Sequence, residues 1–174
     1  MMRLILFLIL FPSLVYANDR VNYLTAIMPN MINYITDITD LEYKGYPLPT
    51  IIIEDEQSIC TGAYERIEVE CDIAGYYNDD TNVIYIRDTP TRYMSEDRFQ
   101  EVILVHELVH FLQKFMGRYQ EVECQQQLEE LAYIVQDTYI DLHNIDEKNK
   151  IDPLFAIISS ICPNKYPLFF HEEQ

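Results

Sequence analysis

Val102-Ile103-Leu104-Val105-His106-Glu107-Leu108-Val109-His110-Phe111-Leu112-Gln113 decides how this chain is read. Apart from His106, Glu107, His110 and the closing Gln113, every residue of the run is apolar. Two histidines four apart on a helix stand about 6 Å apart along its axis and nearly on one face, so both imidazoles can reach one metal ion. Glu107 points to the side of that pair, where it can hold a water on the metal without being a ligand. The chain has only 4 histidines, so a chance His-Glu-x-x-His is improbable. The plain alternative is a core helix with two satisfied histidines.

Working outward, Ser95 reads as the helix N-cap, with Glu96, Asp97 and Arg98 in the first turn. The helix then runs from Phe99 to about Phe115, and Gly117 suits its C-terminal cap. Upstream, Arg66 to Asp72 alternates charged and apolar residues as a half-wet strand does, and Ala74 to Tyr77 continues it. Asn78 to Asn82 is turn chemistry, and Val83 to Ile86 completes a hairpin. Thr50 to Glu54 is a buried strand, and Asp55 to Thr61 a helical turn ending at Cys60. Asp19 to Thr39 has apolar residues at helical spacing, with a kink or a break expected at Pro29. Downstream, a helix is expected from about Glu121 to His143 and a last one from Leu154 to Ile161 behind Pro153. Pro167 to Phe170 is expected to lie on the core. The result is an α+β fold: a small antiparallel or mixed sheet packed on the motif helix and on a following glutamate-bearing helix.

A hydrolytic zinc site needs three protein ligands and one open position. An extended motif would place glycine at 113 and histidine at 116, but those positions hold Gln113 and Met116. His171 lies in the tail. His143 is fourteen residues beyond Glu129, about 21 Å away on a straight helix. A carboxylate from Glu121, Glu123, Glu129 or Glu130 is the natural third ligand.

His106-Glu107-Leu108-Val109-His110, followed by Glu129-Glu130-Leu131-Ala132-Tyr133, resembles the gluzincin group of zinc metallopeptidases over roughly Val83 to Gln136. The resemblance implies a zincin-like fold holding one zinc ion on His106, His110 and Glu129. The third ligand there is a glutamate in a Glu-x-x-Ala context, which Ala132 completes. It also implies Glu107 as general base to a metal-activated water, and so peptide-bond hydrolysis. Glu130 stays open as the alternative ligand, since adjacent helical residues point about 100° apart. Several such enzymes have an acidic residue after the alanine to support a zinc-bound histidine. Tyr133 stands there instead, leaving a tyrosine hydroxyl or Asp137 for that work. The competing expectation is a catalytically inactive zincin-like binding protein. If Val83 to Ile86 is an edge strand, an extended peptide can pair with it across the zinc; otherwise it is a core strand.

Residues 1–17 read as a secretory signal: Arg3, the apolar Leu4 to Leu10, and a small-residue cleavage site ending at Ala17. Residues 18–174 are then one domain, secreted or periplasmic, with no membrane anchor after cleavage. Removing the signal takes away one basic residue and no acidic one, so the formal charge goes from −17 to −18. Such a surface repels nucleic acid and anionic membrane and keeps the chain soluble; a peptide or protein partner is what the metallopeptidase resemblance implies. Cys60, Cys71, Cys124 and Cys162 allow three pairings of two disulfides. The favoured pairing is Cys60–Cys71, which would close a short local loop, with Cys124–Cys162, which would tie the last helix to the one before it.

Overall fold

A computed structural model describes residues 12–64 and 72–162, with the backbone alone at 12–18, 63 and 64. The elements follow in the order α1 (Pro12–Ile38), β1 (Thr50–Glu54), α2 (Glu56–Tyr64), β2 (Gly75–Asn78), β3 (Val83–Arg87), α3 (Phe99–Phe115), α4 (Glu129–His143) and α5 (Pro153–Ser159). The fold is α+β. Its three strands form one mixed sheet in the order β1-β3-β2, with β1 parallel and β2 antiparallel to β3.

The motif helix is the centre of the molecule. Every residue of α3 from Phe99 to Gln113 is buried, with α1, α4, β2 and β3 packed around it. This explains why the run is apolar on all sides instead of striped. From α1, Leu24, Met28, Met31, Ile32 and Ile35 enter the same core. They also explain why α1 continues through Pro29 as one helix and does not break into two there. Burying these five side chains is worth about 1.5–3 kcal/mol each, which outweighs the roughly 3 kcal/mol that an internal proline costs.

Several expectations are corrected. β3 is the central strand, not an edge, with Ile84 and Ile86 fully buried. The edge nearer the motif helix belongs to β2. Ser95 does not cap α3: its hydroxyl accepts from the Asp97 backbone N–H. The N-cap position is Arg98, left-handed at φ 51°, and its guanidinium donates to Glu101 in the first turn. α2 runs on through Tyr64, a full helix and not one turn. The helix expected from Glu121 begins only at Glu129. Before it lie two 3-10 turns, Arg118–Gln120 and Gln125–Leu128, with Cys124 extended between them at φ −154° and ψ 157°. Cys124 is bonded to Cys162 with Cα atoms 5.7 Å apart, which ties this irregular segment to the chain just beyond α5. The strand expected before Asp72, the Cys71 partner expected for Cys60, and the tail from Pro167 lie outside the described residues.

Candidate metal centre

His106 and His110 present their Nε2 atoms to each other at 3.2 Å. Glu129 closes the triangle, its Oε2 lying 3.2 Å from His106 Nε2 and its Oε1 3.4 Å from His110 Nε2. A tetrahedral ion with ligands at 2.0–2.1 Å requires edges of about 3.4 Å between them. The two nitrogens and the carboxylate oxygen nearest each lie at about that spacing, and one ligand atom from each of the three residues falls within 4.8 Å of the others. Glu129 reaches them because α4 starts at that residue and crosses α3. The first turn of a helix also favours an acidic side chain. Glu130 is exposed and outside the group, and Glu121 pairs with Arg118 at 2.9 Å.

The hydrogen bonds around the triangle show what it is suited to hold. His106 Nδ1 lies 3.0 Å from Gln136 Oε1, and His110 Nδ1 lies 2.9 Å from Gln113 Oε1. Each ring therefore donates through Nδ1 and turns the lone pair of Nε2 inward. Two lone pairs and a carboxylate oxygen then face one another with no hydrogen among them, an arrangement that only a cation or an added proton relieves. In the metal-free chain a proton does so. Burial lowers the His110 pKa, but Glu129 and then Glu107 and Gln113 raise it further, to about 9. Burial raises the Glu129 carboxyl, yet the two imidazoles hold it well below the usual carboxylate range. The donor set and spacing fit a divalent ion such as zinc.

Glu107 sits beside this triangle, buried, and takes the backbone N–H of Tyr77 on its carboxylate. Burial pushes its pKa up and Glu129 adds to that, while the two imidazoles and the Tyr77 N–H pull it down; the balance is upward. Gly75 lets β2 come this close. A Cβ there would meet Ile103 Cγ2 at 2.4 Å and the Tyr85 carbonyl oxygen at 2.8 Å. Arg87 donates to the Ala74 carbonyl, and Gly75 is opposite Ile86. In an antiparallel ladder the residues at 75 and 77 then turn their N–H and C=O away from β3, toward the edge of β2 that pairs with no other strand among the described residues. Tyr77 spends its N–H on Glu107; Gly75 keeps its backbone groups at the edge.

A cleft of about 1060 Å³ opens over the triangle. β2 and the preceding Asp72–Ala74 line one side, Tyr119 and Gln125 another, and Lys148 to Asp152 with Phe155 a third. Tyr133 also lines it, its ring 4.8 Å from that of His106. Burial, then nearby carboxylates, push the hydroxyls of Tyr119 and Tyr133 above their ordinary pKa, so both stay protonated donors at neutral pH.

The histidine, Glu107 and Glu129 positions read from the sequence thus lie together. The support expected for the histidines does not come from Asp137, whose carboxylate accepts from Ile151 N, nor from the hydroxyl of Tyr133, which bonds with Ser159. Gln113 and Gln136 supply it. Gln113 was in view only as a departure from a longer motif, and glutamine carries no metal-site signal of its own. His143 stacks on Tyr139 at the far end of α4, away from the cleft.

Comparison with known proteins adds a family. No curated protein and no solved structure matches the chain. Its sequence does match a domain of unknown function, DUF6647, over residues 23–167. That span runs from within α1 to beyond α5 and covers the triangle, Glu107 and the cleft. The chain therefore belongs to the DUF6647 family.

Proposed function

We propose that this protein is a zinc-dependent peptidase of the secreted or periplasmic space, acting on peptides or proteins. The observation that carries the reading is the inward-facing triangle of His106, His110 and Glu129 with the buried carboxylate of Glu107 beside it at the foot of an open cleft. Two imidazoles and one carboxylate suit zinc and leave a fourth position free. A zinc ion there supplies Lewis acidity, bringing a water's pKa near 7 and polarising the carbonyl to be cleaved.

The chain's own residues do the rest. Glu107, buried beside the triangle, takes a proton from the attacking water and returns it to the leaving amine. The Tyr77 N–H keeps its carboxylate aimed. Gly75 offers its edge N–H and C=O to an extended peptide, so the substrate adds a strand to β2 and not to β3, which the sequence left open between edge and core. Tyr119 supplies a cleft hydroxyl for the charge that develops on the carbonyl oxygen. The Cys124–Cys162 disulfide suits an oxidising compartment. Among the described residues no helix is long and apolar enough to cross a membrane.

The test is Glu107→Gln. Hydrolysis of a broad peptide library should fall by roughly 10²–10⁴-fold while zinc stays bound. Purified protein without zinc, or full activity in the variant, ends this reading. A wild-type protein that holds zinc and cleaves nothing supports the inactive zincin-like binding protein instead. The exposed apolar side chains of α5, of which Phe155 lines the cleft, favour that second reading.

A further inference from the structure

We propose that Gln113 and Gln136 are positioning residues for the metal: they select which nitrogen each histidine presents and tie each histidine to one wall of the cleft. The proposal rests on the metal reading above. Both amides are buried, Gln113 at 3% exposure and Gln136 at 5%. Their orientation is set from the far side. Gln113 Nε2 donates to the Leu128 carbonyl at 3.0 Å, and Gln136 Nε2 donates to the Asn149 carbonyl at 3.1 Å. Turning either amide over would set its oxygen against a carbonyl oxygen and leave a buried carbonyl without its donor. The amide oxygens therefore face the imidazoles, which must carry their hydrogen on Nδ1 and ligate through Nε2.

The far-side partners give each glutamine a second task. Leu128 directly precedes Glu129, so Gln113 links His110 on α3 to the peptide from which the third ligand starts. This holds the spacing of the triangle across two elements. Gln136 links His106 to Asn149. The Asn149 side chain in turn accepts from Ser95 N and donates to the Asp97 carbonyl, just ahead of α3. The Lys148 to Asp152 wall of the cleft is thus fixed to the same histidine that fixes the metal. Both partners are neutral. Carboxylates in their places would add negative charge beside Glu107 and Glu129, where burial already works against ionisation.

The experiment uses the full chain loaded with zinc. Zinc affinity is measured by competition with a chromophoric chelator, and ring nitrogens are read by ¹⁵N NMR. In the wild type both histidines should coordinate through Nε2 and keep a slowly exchanging Nδ1 proton. Gln113→Leu and Gln136→Leu should each weaken zinc binding by about 10–100-fold. Each should also release the Nδ1 proton of its own histidine to rapid exchange. Folded leucine variants with unchanged affinity overturn the proposal. Nδ1 coordination at either histidine of the wild type overturns it too, and that spectrum decides even if a leucine variant fails to fold. A wild type that binds no zinc counts against the metal reading itself. Zinc held through both Nε2 atoms, with affinity indifferent to the glutamines, counts against this proposal alone.

Discussion

The floor and the rim of the cleft are built on opposite terms. In the floor, Phe99 to Gln113 of α3 are buried without interruption, and α4 packs against them. No buried side-chain polar atom described in α3 or α4 lacks a hydrogen-bond partner. At the rim, α5 exposes Leu154, Phe155, Ile157 and Ile158 at 64%, 55%, 61% and 42%. Its attachments are the packing on α4, the Tyr133–Ser159 hydrogen bond and the disulfide from Cys162 to Cys124. A floor of this kind fixes atoms to within tenths of an ångström, which suits chemistry. A rim of exposed apolar side chains has little to hold it in one place, and such patches mark contact with something else. On the proposed peptidase reading, the chemistry falls to the closely packed region and the choice of substrate to the exposed one.

The sharpest way to break that division is at the third ligand. Glu129→Gln should lose zinc by more than about 100-fold, beyond the 10–100-fold expected for an outer hydrogen-bond partner, and lose hydrolysis with it. Glu130→Gln, one residue on but exposed, should bind and cleave as the wild type does. Chelator competition on the two variants checks this. Zinc lost from the second and kept by the first would mean that the described floor is not the site.

A smaller effect separates the regions by pH. His110 is raised from 6.5 to about 9 in the metal-free folded chain. Below 6.5 it is protonated folded and unfolded, and its pairing with Glu129 contributes fully. Between 6.5 and about 9 the folded chain keeps a proton that the unfolded chain has released, so stability declines as pH rises and this contribution is gone above 9. Zinc must displace that proton, so zinc affinity should rise with pH over the same window, by up to about tenfold per unit. The Tm of metal-free protein should fall from pH 6.5 to 9 while that of the zinc-loaded protein does not follow it. α5 itself carries no ionisable side chain, so its docking should not titrate. Parallel pH trends in both forms would place the titrating group outside the triangle.

Much of the floor was legible in the sequence because it obeys local rules. The four-residue histidine spacing works on any helix, and the apolar run around it required burial. Glu129 was legible only through the Glu-x-x-Ala resemblance; spacing alone left Glu130 open. What could not be read depends on contacts distant in sequence. The α4 start at Glu129 comes after a 3-10 turn, Gln125–Leu128, whose Leu128 carbonyl is held by Gln113 from α3. The central place of β3 follows from a parallel partner, β1, across a long crossover. Gln113 and Gln136 work through carbonyls 15 and 13 residues away. Gly75 looked like an ordinary strand residue, because the reason for it is Ile103 on another element.

The smallest expected effect is at the rim, where Phe155 both lines the cleft and is 55% exposed. Phe155 is more exposed than covered, so Phe155→Ala should cost no more than about 1 kcal/mol of stability. If the rim only gathers substrate, the lost apolar contact acts equally on bound substrate and on the transition state. KM for peptides with a bulky apolar side chain should then rise while kcat stays level. A contact of this size is worth about 1–2 kcal/mol, which is roughly a 5–30-fold change. Peptides lacking such a side chain should not notice the change, and that contrast separates rim contact from a general loss of folding. A fall in kcat with KM unmoved would show the rim reaching the reacting atoms through Tyr133 and Ser159, so that floor and rim act as one. An unchanged profile for every peptide would move recognition to the β2 edge, where backbone groups read extension and not side-chain size.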